Sequence, residues 1–151
     1  MRTLLIASLF VTTSAFACPN LTGKYAECRT QNGEVTSTNM TVSQSVAHGV
    51  TTYTLTSTSA EDGETITEHY TANGKTINVN HTDPESGMTL QVATTASCEA
   101  KTALNVAVAL KINGELLADV KVNVKKDAHR LVIASKGFSG EEQINDIVTC
   151  E

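Results

Sequence analysis

Residues 102–125 read TALNVAVALKINGELLADVKVNVK. Leu104, Val106, Val108 and Leu110 alternate with small or polar residues, Asn113-Gly114 follows, and Leu116, Ala118, Val120 and Val122 resume the alternation. A period of two marks a strand, because successive side chains leave a strand on opposite faces. Asn-Gly tolerates the positive φ that a tight hairpin turn demands. The stretch therefore predicts an antiparallel hairpin with one apolar face. A two-residue loop would oppose Leu104, Val106 and Val108 to Asn123, Lys121 and Asp119. A three-residue loop with Gly114 as the bulge residue instead opposes Leu104, Val106, Val108 and Leu110 to Val122, Val120, Ala118 and Leu116, and is the predicted form.

The same pattern extends outward along the chain. Thr- and Val-rich alternating runs cover residues 21–31, 34–43, 51–57, 64–72, 75–82, 88–95, 102–112, 115–125, 130–137 and 143–149. Turn residues separate them: Asn32-Gly33, 59–63, Asn73-Gly74, 83–87, Asn113-Gly114, 126–129 and Ser139-Gly140. Helix signals are nearly absent, so the fold class is all-β, an antiparallel up-and-down meander of about 8–10 strands. A twisted open sheet of that size exposes two edges, and curling into a closed barrel removes them. A two-layer β-sandwich is the alternative that periodicity leaves open. At Asn32-Gly33 a two-residue loop places Tyr25 beside Met40 and Gly23 beside Val42. At Asn73-Gly74 it pairs Tyr70 with Ile77, Glu68 with Val79 and Ile66 with His81, which gathers these residues on one face.

Met1-Arg2, the apolar run to Val11 and Ala15-Phe16-Ala17 have the organisation of a cleaved signal peptide over residues 1–17. Residues 18–151 then form a single domain, exported to the periplasm or the extracellular space. The apolar run is shorter than the roughly 20 residues a spanning helix needs, and no later stretch approaches that length. Four cysteines, Cys18, Cys28, Cys98 and Cys150, predict two disulfides in an oxidising compartment, with the pairing open. An extended 18–28 segment would hold Cys18 and Cys28 too far apart to bond. Cys18 also follows the cleavage point directly, which raises lipid anchoring as an alternative; bulky Phe16 fits that poorly.

A formal net charge of −5 disfavours nucleic acid and anionic membrane surfaces as partners, and the absence of Trp disfavours base-stacking and aromatic sugar platforms. The chain contains no nucleophile elbow, zinc-protease helix, phosphate loop or dinucleotide fingerprint, so a non-enzymatic protein without cofactor is expected. No metal site is expected. His48 and His129 read as turn residues, and His69 and His81 fall on opposite faces. The acidic loops 61–64 and 83–85 lack the alternating ligand spacing of a calcium loop. Three N-x-[ST] sequons, at Asn20, Asn39 and Asn80, read as chance in a Thr-rich chain.

Leu21-Thr22-Gly23-Lys24-Tyr25, opening the first strand, resembles the Gly-x-aromatic start of the lipocalin and fatty-acid-binding (calycin) barrels, with Tyr25 where those families carry Trp. The resemblance implies an up-and-down barrel whose open end takes a small apolar molecule. The candidate ligand site is the interior near Tyr25, Met40, Ile66, Glu68, Tyr70 and His81, where the carboxylate and imidazole would orient a ligand's polar end. The alternative is a structural or interaction protein of the cell envelope or surface, meeting a protein partner through its outer face.

Overall fold

The computed structural model describes residues 18–151, and the predicted signal peptide lies outside them. Ten strands form a single sheet: β1 (Gly23–Thr30), β2 (Val35–Ala47), β3 (Val50–Ser59), β4 (Thr65–Thr71), β5 (Thr76–Thr82), β6 (Thr89–Glu99), β7 (Ala103–Ile112), β8 (Glu115–Asp127), β9 (Arg130–Ser139) and β10 (Glu142–Cys150). Their order is β4-β3-β2-β1-β10-β9-β8-β7-β6-β5, every neighbour antiparallel. All pairings join strands consecutive in sequence except β1–β10, which unites the two ends of the domain. The all-β, up-and-down reading therefore holds. The sheet curls strongly into a half-barrel.

Three local expectations are corrected. First, β4 and β5 do not pair at all; they are the two edges of the sheet. Tyr70, Glu68 and Ile66 lie opposite Tyr53, Leu55 and Ser57, whereas Ile77, Val79 and His81 lie opposite Thr94, Val92 and Leu90. Asn73 is not in a positive-φ conformation, so the hairpin turn that needs two such residues does not form. Its side chain accepts a hydrogen bond from the Lys75 N–H (2.9 Å), and the Gly74 N–H donates to the Ala96 carbonyl of β6 (2.9 Å). The chain is thus handed from one edge to the other, and the closed barrel becomes a half-barrel with a seam.

Second, Asn113 (φ 50°) and Gly114 (φ 86°) make a true two-residue turn, and the bulge sits inside β8 instead. Lys111 opposes Leu116 but Leu110 opposes Ala118, so Leu117 is the extra residue. Leu104, Val106 and Val108 consequently face Val124, Val122 and Val120. Third, Asn32-Gly33 closes a longer loop, with the Thr30 N–H bonded to the Glu34 carbonyl and Gly33 at φ 82°. A bulge between Cys28 and Arg29 then restores the predicted Gly23–Val42 and Tyr25–Met40 pairs.

The core occupies one end of the concave face, where Tyr25, Val42, Tyr53, Leu104, Val124 and Leu131 are buried. Burying side chains of this size stabilises by about 1.5–3 kcal/mol each. Residues 18–22 cross this end as a strap. Leu21 is fully buried, and its N–H donates to the Gln44 Oε1 (3.3 Å). The disulfides are Cys18–Cys98, which ties the strap to β6, and Cys28–Cys150, which joins β1 to β10. Because Cys18 is bonded, its thiol is not free to carry the lipid considered above. The two bonds suggest an oxidising, exported compartment. No helix among the described residues is long and apolar enough to cross a membrane.

Candidate functional site

Antiparallel partners share a face, so the ladder assigns every side chain to the concave or convex surface. Tyr25, Met40, Ile66, Glu68, Tyr70 and His81 all point to the concave side. They do not form one cluster. Tyr25 and Met40 are buried in the core, and Tyr70 is half-buried against it. Ile66 and Glu68 are exposed on the β4 edge, and His81 is exposed on the β5 edge. The structure therefore divides the group into a packed closed end and two open rims.

The closed end is built from tyrosines. The Tyr25 ring folds back over Gly23, where a Cβ would lie 2.7 Å from the Tyr25 hydroxyl oxygen. This contact explains the Gly-x-aromatic spacing: the glycine leaves room for the ring two residues on. The Tyr25 hydroxyl donates to the Leu21 carbonyl (3.2 Å), and the Tyr53 hydroxyl to the Pro19 carbonyl (2.7 Å), so both hold the strap. Burial raises the Tyr25 pKa and pushes that of Tyr53 up to about 12. Tyr70 is raised further, by burial first and then by the negative charge of Glu68. Sequence reading missed Tyr53 and Leu21 as centres of this end. Their alternation with Leu55 and Gly23 carried the signal, but only the strap's path shows what they hold.

The open end differs in character. Ile77 and Val79 are 55% and 60% exposed although they face inward. They continue the concave row through Val92 to Leu110 and, along another row, through Thr94 to Val108. Ile66, on the opposite rim, is 51% exposed. The result is an apolar trough, closed at one end by the strap and open along the seam.

Three of the four histidines, His48, His69 and His129, and the acidic loops serve local structure. His48 (φ 52°) and Gly49 form the β2–β3 turn, and His129 lies in the β8–β9 turn. On the convex face, the His69 Nδ1 is 3.0 Å from the Thr54 hydroxyl. The Asp62 carboxylate accepts from the Glu64 N–H (3.0 Å). That of Asp83 accepts from the Glu85 N–H (2.9 Å) and the Ser86 hydroxyl (2.8 Å). These bonds to the carboxylate form lower both aspartate pKa values. Comparison of the chain with family models, with curated proteins and with solved structures finds no match.

Proposed function

We propose that the protein is an exported, non-enzymatic binding protein that carries a small apolar ligand on the concave face of the half-barrel. The observation behind this reading is the exposure of Ile77 and Val79, which face inward beside the apolar row of β6 and β7. Apolar side chains aimed into a concavity and left wet are a binding surface in waiting. Tyr25, Met40 and Tyr70 back the closed end, while Glu68 and His81 on the two rims offer polar contacts for a ligand head group. The Gly23–Tyr25 packing supports a lipocalin-like mode of carriage. Native mass spectrometry of the mature protein from its own source is the test. A stoichiometric apolar companion, lost in Val79→Lys, is the expected result. Overturning the reading requires a bare polypeptide mass together with no saturable uptake of a fluorescent fatty-acid probe.

A further inference from the structure

The convex face carries a second surface, independent of the trough. In register across β6 to β10 run two adjacent rows, Thr95–Ala107–Lys121–Lys136–Asn145 and Ser97–Asn105–Asn123–Ala134–Ile147. They line an open groove of about 410 Å³. That volume lies within the roughly 300–1,000 Å³ of ligand sites. Lys121 and Lys136 stand directly opposite one another, an arrangement of like charges that costs stability. Neither forms an ion pair, and both ion pairs found among the described residues lie elsewhere. The carboxylate of Asp119 is one row away, opposite Phe138, and that of Asp146 belongs to the concave face opposite Ser135. In a chain with net charge −5, two lysines that form no ion pair thus meet in one groove, with the carboxylates of Asp119, Glu99 and Asp146 at its margins.

The polar neighbours are carboxamides. The Asn123 Nδ2 donates to the Asn105 Oδ1 (2.7 Å) and the Asn105 Nδ2 to the Glu99 Oε2 (3.4 Å), which fixes both amides and leaves the Asn123 Oδ1 and the second proton of each amide for a ligand. Carboxamides that donate and accept match hydroxyls that do the same. Ala107, Ala134 and Ile147 give a shallow apolar floor, and no aromatic ring lines the groove, so charge must supply what stacking does not. From these features we infer that the groove is a binding site for an acidic saccharide, its anionic group held between Lys121 and Lys136 and its hydroxyls by Asn105, Asn123 and Asn145.

The test is titration of the oxidised, isotope-labelled mature chain with tri-galacturonate, maltotriose and sodium sulfate, followed by backbone amide shifts. Tri-galacturonate is expected to give saturable shifts confined to the groove strands, with maltotriose and sulfate far weaker. Lys121→Gln and Lys136→Gln should each weaken binding about tenfold or more. Lys125→Gln, on the same strand beyond the groove, should leave it unchanged. Because each groove substitution removes a like-charge contact, the ligand-free variants should melt at the same or a higher temperature, a result a purely structural lysine would not give. Absence of saturable shifts, equal binding of maltotriose or sulfate, or equal loss in Lys125→Gln would each overturn the assignment.

Discussion

At the scale of single residues, the sheet is shaped by where a side chain has room. Gly137 (φ 151°) lies where β9 approaches β8, and a Cβ there would fall 1.9 Å from the Asp119 carbonyl oxygen. Backbone cannot step aside as a flexible side chain can. Gly137→Ala is therefore expected to destabilise by about 1–3 kcal/mol, read from the denaturant midpoint. The tyrosines respond instead to pH. Their folded pKa values lie above the ordinary value of 10.0, so the folded state holds its phenolic protons more tightly than the unfolded chain. That contribution is complete below pH 10 and is lost as pH rises through about 12. Stability should fall over this window, and phenolate absorbance should lag behind that of free tyrosine until unfolding. Tyr53→Phe should soften the fall.

At the scale of strands, bulges decide more than turns do. Two of the three Asn-Gly pairs close hairpins, yet neither does so with the predicted loop length. The faces match nonetheless, because one extra residue inside a strand restores the alternation. Burial of Leu104 and Val106 rewards that restoration wherever the extra residue can be accommodated. Leu117, 39% exposed, is such a residue. Deleting it leaves the Asn113-Gly114 turn and the Leu104–Val124 register both satisfied, so the protein should still fold, with a near-native circular dichroism spectrum. Deleting Val120 removes a residue from the regular part of β8 and turns part of its apolar face to solvent. That chain should unfold or aggregate.

At the scale of the whole molecule, the half-barrel depends on two distant ties. The β1–β10 ladder is short: it pairs Cys28, Arg29 and Thr30 with Cys150, Thr149 and Val148, and reciprocal backbone hydrogen bonds between Glu27 and Glu151 extend it by one step. Cys28–Cys150 reinforces it across a sequence separation of 122. Replacing both cysteines by alanine should cost about 2–4 kcal/mol by freeing the unfolded chain. Replacing Cys18 and Cys98 should release the strap as well. Hydrogen exchange would then show early loss of protection at Leu21, whose amide bonds Gln44, while the β7–β8 ladder stays protected.

Alternation, turn residues and cysteine count belong to the chain itself. They are enough for the number of strands, the inward set Tyr25, Met40, Ile66, Glu68, Tyr70 and His81, and the presence of two disulfides, because facing is a local property of an extended backbone and four cysteines make two pairs. Pairing is not local. That β4 meets β3 but not β5, that Cys18 seeks Cys98, and that Lys121 stands against Lys136 depend on contacts between segments far apart in sequence. Only the curled sheet, with its buried core at one end and its seam along one side, chooses among the pairings that the alternation allows.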